Sequence, residues 1–344
     1  MGDWNDYDFV VQMPHMAPGE KLSEVELLKQ LAAHQWESIA KALHTRPSRI
    51  ANERGERLYG SVIDVEFFLG ERHSLDLLGE DVHVHVKNRV RFYASKFVEG
   101  LFVIDDREIS DEAVAAIKRR EDLQNLGGSW ACMTNAFIAR GGGNLRLKVY
   151  KPAGADGAGL QQLEQAPLGI SMQGRVQSSG EIEALSDDAF VPLEPVGAPG
   201  VEYRIVPESD LNGAGLVYFA RYEAMMNYGE RIFLRERLAL PISAELVSYL
   251  STEHRRAFFF ANASPTDTVD VRVSAGVMPV QGAAGGGAVA GRYRIPLKLQ
   301  FRIDLYRASD GTLMASSLVR KSLNVPGSAK SVLAEAERLL RRLG

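Results

Sequence analysis

The stretch ESDLNGAGLVYFARYEAMMNYGER, residues 208–231, opens with an acid, an amide and two glycines and then turns apolar and aromatic. Asp210, Asn212, Gly213 and Gly215 crowd the place where a helix would begin. The first turn of a helix carries unpaired N–H groups and a partial positive charge. Aimed at a thioester carbonyl, these stabilise the oxyanion of an enolate or a tetrahedral intermediate. Gly213 and Gly215 would let a ligand approach the backbone closely. Asn212 could donate a further hydrogen bond, and Asp210 could act as base or orient the amide. The plainer reading is that Asp210 or Asn212 caps the helix and the glycines make a tight turn.

Other residues invite chemistry less directly. Tyr59 stands early in the strand-like RLYGSVIDVEF, beside Gly60, where a hydroxyl can reach a cleft and serve as nucleophile or acid. In GGSWACMTNAFIAR, alternation puts Trp130, Cys132, Thr134 and Ala136 on one face and Ala131, Met133 and Asn135 on the other. Thr134 and Asn135 are polar in an apolar setting, so they need backbone partners or a ligand. Cys132 reads as an inert core thiol. His83 and His85 share a strand face, but no third ligand is near in sequence, so a metal site is not expected. His15, in MPHMAPG, precedes the first helix and could reach a pocket. The glycine run at 285–287 lacks the Lys-Ser/Thr of a phosphate loop, and no G-x-S-x-G elbow is present.

These residues must be positioned by regular elements. Residues 23–44 read as a helix, with Ser23 and Glu26 as a capping box and Pro47 closing it. Residues 57–68 and 81–105 alternate as strands, 110–122 is a charged helical candidate, and 130–140 and 144–152 form two strands joined by the turn GGGN. Residues 153–200 are rich in Gly, Ala, Pro and Gln. The plan then repeats: a strand at 201–207, a helix at about 214–231 and a helical segment at about 242–252. Strands follow near 255–263, 268–278, 293–308 and 312–323, with a Gly-rich loop at 281–291 and a cationic C-terminal helix. Strands come in runs instead of alternating with helices, which argues for antiparallel sheets in an α+β fold made twice. The expected organisation is a first unit over 1–155, a connection over 156–200 and a second unit over 201–344.

Bulk properties narrow the function classes. The chain has 344 residues, 45% of them hydrophobic and 24% charged, and a net charge of -4, which gives no case for nucleic-acid binding. One cysteine excludes a disulfide framework and a cysteine-rich zinc site. The acidic start lacks a signal-peptide pattern, and nothing approaches the ~20 apolar residues of a membrane span. A cytoplasmic protein without membrane contact is expected.

Four stretches together, MPHMAPGEKLSEVELLKQLAAHQW, RLYGSVIDVEF, GGSWACMTNAF and ESDLNGAGLVYFARY, resemble the double hot-dog acyltransferase/decarboxylases of polyketide biosynthesis, of the leinamycin-pathway type. The likeness spans both halves and is weakest at 153–200 and 280–292. It implies a double hot-dog fold, in which an antiparallel sheet wraps a central helix twice over. It implies decarboxylation of methylmalonyl- or malonyl-CoA and transfer of the propionyl group, through an acyl-tyrosine, to a phosphopantetheinylated acyl carrier protein. Tyr59 best matches the acyl-bearing tyrosine by its place in the first strand after the opening helix; Tyr93 and Tyr218 come next. Asn212 and Asp210 would serve the reacting centre, while Trp130, Thr134, Asn135, Gly213 and His15 would contact substrate. No cofactor or metal is implied, and the protein would be a monomer or homodimer. The alternatives are a hot-dog thioesterase or dehydratase with Asp210 as base, and a non-catalytic scaffold that binds acyl carrier protein.

Overall fold

The computed structural model describes residues 4–139, 148–157, 160–186, 188–195, 200–238, 242–279, 288–289 and 291–343. The first half runs β1 (Asn5–Val10), α1 (Glu24–Ala42), β2 (Leu58–Phe68), β3 (His83–Tyr93), β4 (Phe97–Asp105) and β5 (Ser129–Ala139). Helix α2 (Leu168–Ser179) follows. The second half repeats the order with β6 (Gly200–Arg204), α3 (Phe219–Ile232), β7 (Leu250–Phe259), β8 (Thr268–Pro279), β9 (Arg292–Arg307) and β10 (Leu313–Pro326), and α4 (Lys330–Leu343) ends the chain.

All these strands join one antiparallel sheet in the order β1-β3-β4-β5-β2-β7-β10-β9-β8-β6. The second half is the first read backwards, so the halves are related by a pseudo-twofold through the β2–β7 junction. Each strand of that junction carries a bulge at the matching place, between Val62 and Asp64 in β2 and between Thr252 and His254 in β7. The two expected sheets are thus one sheet, joined edge to edge where each would otherwise leave an unpaired strand.

The helical faces follow from spacing. Leu27, Leu28, Leu31 and Ile39 of α1 are fully buried. Strand β9 alternates buried and part-exposed positions from Ile295 to Leu305, one face packed on α3. Strands β2 and β5 are buried on both faces, because α1 covers one side and α2 with the helical turn Arg120–Leu123 covers the other. On that outer side Arg120 donates to Asp64 and to Glu66, both at 2.7 Å, and Glu66 accepts from Arg256 at 2.8 Å. Charge pairing therefore crosses the junction between halves in addition to the β2–β7 ladder.

Several boundaries differ from expectation. The helix expected from about 214 starts at Phe219, because 212–216 closes into a tight loop first. The segment 242–252 contains one turn, Ala244–Ser248, capped by Ser243 Oγ, and β7 then begins at Leu250. Residues 110–122 hold two short turns, Asp111–Val114 and Arg120–Leu123, in place of one helix. Helix α2 lies inside the stretch read as a connection, since its few apolar positions make a weak pattern. The turn at 141–144 and most of the loop at 281–291 lie outside the described residues. No described helix is long and apolar enough to cross a membrane.

Candidate functional site

Because β2 pairs with β7, each central helix starts against the other half's strand. The start of α3 meets β2, and the start of α1 meets β7. These two seams contain the candidates.

At the α3 seam, Asp210 ends a helical turn that runs from Pro207. Its carboxylate is fully buried and accepts from Tyr203 Oη at 3.0 Å, Val206 N at 2.8 Å, Ser209 Oγ at 3.1 Å and Arg221 Nε at 2.9 Å. It ties β6 to α3 through Tyr203 and Arg221. Asn212 Oδ1 accepts from Ala214 N at 2.9 Å and Leu216 N at 3.2 Å, closing the loop, with Gly215 at φ 73°. Gly213 is exposed at the loop's tip. Tyr59 of β2 does meet this loop: it packs with Ile138, Ala214 and Leu216, and the Arg57 guanidinium sits 5.2 Å over its ring. Burial pushes the hydroxyl of Tyr218, the residue before α3, up to about 12, against phenolate formation. Tyr93 lies at the far end of the β3–β4 hairpin, beside Phe97.

The remaining sequence candidates are dispersed. Asn135 is on the inner face, where Gln35 Nε2 of α1 donates to its Oδ1 at 3.2 Å. A side chain at neighbouring Gly60 would come within 3.1 Å of the Trp36 ring, so glycine there makes room for Trp36, and the Tyr59 ring lies on the opposite face of β2. Thr134 is fully buried on the outer face opposite Asp64. Trp130 packs against Phe68 and the His254 ring on that face. His15 belongs to the other seam. Its Nδ1 accepts from Gln12 N at 3.2 Å and its carbonyl from Ser23 N at 2.8 Å, which fixes the chain's approach to α1. The His83 and His85 rings stack on each other; the trio of described residues whose ligand atoms do cluster is His73, Asp105 and Asp106.

The α1 seam is different. A cavity of about 90 Å³ opens there, lined by Lys21, Ser23 and Glu24 before and at the helix start, by Asn227, Glu230 and Arg231 of α3, by Leu250 and Thr252 of β7, and by Lys321 of β10. The capping box expected from Ser23 and Glu26 does not form. Ser23 makes no side-chain cap, and Glu26 turns along the helix to accept from Gln30 Nε2 at 2.9 Å. The first helical bond runs from Leu27 N to Ser23 O at 2.9 Å, so the N–H groups of residues 24–26 precede the ladder, and Ser23 and Glu24 at this helix start line the cavity.

Behind the wall lies a buried ionic set. Arg255 of β7 holds Glu24 through two nitrogens, and its remaining terminal nitrogen lies 2.9 Å from Glu223. Thr252 Oγ1 donates to Glu24 at 2.9 Å. Lys321 pairs with Glu230 at 2.7 Å, and Asn227 Oδ1 accepts from both Lys321, at 3.1 Å, and Arg255, at 3.0 Å. Burial alone would raise Glu24, but Arg255 and Lys321 hold it below the usual carboxylate range. Burial wins at Glu223, whose carboxyl is pushed up to about 7 with Glu24 opposing Arg255. Burial and the charge of Lys321 bring the Lys21 ammonium down to about 7.

None of these residues was singled out from sequence, though a signal exists. Glu223, Asn227 and Glu230 recur at helical spacing on the apolar face of α3, and Arg255 and Lys321 occupy inward positions of strands that otherwise read as core.

The arrangement of sheet and helices is a hot-dog fold, present twice in one continuous sheet as a double hot dog. It is similar, with a TM-score of 0.55, to a structure described as an oleoyl thioesterase from Lactobacillus plantarum, at 11% identity over 94% of this chain and 97% of that one. An acyl-ACP thioesterase from Bacteroides thetaiotaomicron is 13% identical over 93% of this chain and 97% of that one, with a TM-score of 0.48. The 12:0-ACP thioesterase from Umbellularia californica is 8% identical over 94% and 97%, with a TM-score of 0.47. No protein-family model and no curated protein matches the chain. The likeness to acyltransferase/decarboxylases therefore holds at the level of the hot-dog fold.

Proposed function

We propose that the chain is an enzyme acting on acyl thioesters, and that it hydrolyses them at the α1 seam. The cavity carries this reading: it is the place where uncapped helix N–H groups, buried ionisable side chains and apolar walls from Leu75, Val247 and Leu250 converge. The N–H groups of residues 24–26 would take the thioester oxygen as charge develops on it, and the apolar walls would hold the acyl chain. The fold shared with the Lactobacillus plantarum structure supports a thioester substrate by analogy of scaffold alone. The test is incubation with octanoyl-, oleoyl- and methylmalonyl-CoA, following thiol release and the acyl product by mass. Free acid and free CoA are expected from at least one; no thiol from any of the three would overturn the reading.

A second reading follows from Tyr59. Its packing against Ala214 and Leu216 brings a strand tyrosine of one half to the Asn212 loop of the other. That contact suits decarboxylation of methylmalonyl-CoA and propionyl transfer, through acyl-Tyr59, to a phosphopantetheinylated carrier protein. It predicts CO₂ release and a propionyl mass increment on the Tyr59 peptide, both lost or displaced in Tyr59→Phe. Free acid with an unmodified Tyr59 decides for hydrolysis.

A further inference from the structure

We propose that Lys21 is the proton-transfer residue of the α1-seam cavity, taking a proton from the attacking water and returning it to the departing sulfur. This rests on the hydrolytic reading of that cavity. Lys21 Nζ donates to the main-chain carbonyl of Ser248 at 2.6 Å and to that of Leu250. An amine nitrogen has four tetrahedral directions. The side chain takes one and the two carbonyls take two, which leaves the fourth to the cavity that Lys21 lines. In the neutral amine that direction is a lone pair; in the ammonium it is an N–H. One proton can thus be accepted and released without moving the side chain.

The surroundings keep both forms accessible. Glu24 is engaged by Arg255 and Glu230 by Lys321, so among the described residues Lys21 has no carboxylate at ion-pair distance. Burial and Lys321 favour the neutral form, while Asp76, Glu230 and Glu24 pull the other way, and the balance falls at about 7. Arg231, also on the wall, adds a further positive charge. A group poised near the working pH is the one best suited to both halves of a proton transfer. Gly19 fixes the anchor. At φ 93° its backbone presses on the Ser248 carbonyl, and a Cβ there would lie 2.3 Å from that oxygen.

The step balances. The water oxygen bonds to the thioester carbon while a water proton passes to Nζ, and the oxyanion forms against the α1 N–H groups. Collapse breaks the carbon–sulfur bond, and the Nζ proton goes to the thiolate, giving acid, thiol and neutral lysine.

The experiment compares wild type, Lys21→Arg and Lys21→Met on octanoyl-CoA across pH 5.5–9, alongside pH-resolved acetylation of the wild-type lysines read by mass spectrometry. Lys21→Arg keeps the charge and the carbonyl donors but cannot give up its proton, so kcat should fall about 10²-fold or more with KM within a few-fold. The acidic limb of wild-type kcat/KM near pH 7 should vanish in Lys21→Met. Lys21 should gain reactivity with a midpoint near 7, well below the ~10 of an ordinary lysine. Wild-type turnover with Lys21→Arg within a few-fold of it, or Lys21 labelling only near ~10, overturns the role of Lys21 and leaves hydrolysis standing. No turnover by wild type removes both. The labelling arm needs no variant, so a misfolded substitution does not blunt the test.

Discussion

The start of α1 meets β7 and the start of α3 meets β2 in the same geometry, yet the polar residues that gather round the cavity have different counterparts. Counting from each helix start and each bulge, Lys21 matches Leu216, Glu24 matches Phe219, Asn227 matches Ala32 and Glu230 matches Gln35. On the strands Thr252 matches Val62, Arg255 matches Val65 and Lys321 matches Asn135. Glu230 with Lys321 and Gln35 with Asn135 are the same helix-to-strand contact, ionic at one seam and amide at the other. At the α3 seam these positions hold Leu216, Phe219, Val62 and Val65, so the same positions pack there without charges. Buried ion pairs contribute little net stability compared with well-packed apolar groups. The charges of the α1 seam, gathered round a cavity, are therefore better explained by use than by folding.

The hardest blow to that contrast is Arg255→Met. It strands Glu24 and Glu223 as unpaired buried carboxyls at a seam whose partner tolerates Val65. A loss of about 3–5 kcal/mol in urea unfolding is expected, with most of it regained when Glu24→Gln and Glu223→Gln are added. If the single variant is as stable as wild type, the ionic set is not coupled as described.

The amide pair offers the reverse exchange. Gln35→Glu alone buries a carboxylate beside neutral Asn135 and should lose about 3 kcal/mol. Adding Asn135→Lys recreates the Glu230–Lys321 pair and should restore about 1–3 kcal/mol of coupling in a double-mutant cycle. Strict additivity would mean that the two contacts are not equivalent.

Much of this was legible in the sequence, and the reason for the remainder is physical. The duplicated α+β plan, α1 and β9 announced themselves by strong periodicity, because one face of each is buried and the other is not. Helix α2 was hidden because most of its residues are small or polar. The Asp210–Gly215 stretch attracted notice for its composition, and in the fold the Asp210 carboxylate holds Arg221 and Tyr203 while the Asn212 amide oxygen holds Ala214 and Leu216. Conversely, Lys21 and Glu24 lie far from Arg255 in the chain, and each looks ordinary singly. Only the β2–β7 pairing brings them together, and that pairing has no local signature.

A smaller effect tests how the two approach loops differ. Gly19 corresponds to Ala214, whose methyl packs toward Tyr59, while a methyl at 19 would strike the Ser248 carbonyl and approach the Tyr249 ring at 3.5 Å. Gly19→Ala should lose about 2 kcal/mol from the left-handed backbone and the contact. It should also lower thioester turnover by displacing the Lys21 anchor. Ala214→Gly, with no carbonyl to strike, should lose less than about 1 kcal/mol. Equal losses at both positions would erase the distinction.

The mildest contrast is a slope. Glu223 matches Leu28, so at this pair of positions the α1 seam alone carries a titratable group. Its folded-state value, about 7, is above the unfolded carboxyl at ~4.3. The folded state therefore holds the proton more tightly. The resulting stabilisation is full below ~4.3 and is lost as pH rises toward 7, at no more than about 1.4 kcal/mol per pH unit. Glu24 does not confuse this window, because it is held low and its own contribution disappears only as pH falls below the ordinary carboxylate range. Lys21 acts above the window with the opposite slope, since its folded value is depressed and stability should rise with pH beyond about 7. Urea midpoints of wild type and Glu223→Gln between pH 5 and 7 should converge or cross as pH rises, with the Gln variant the flatter of the two. Parallel curves would mean that Glu223 stays ionised beside Arg255.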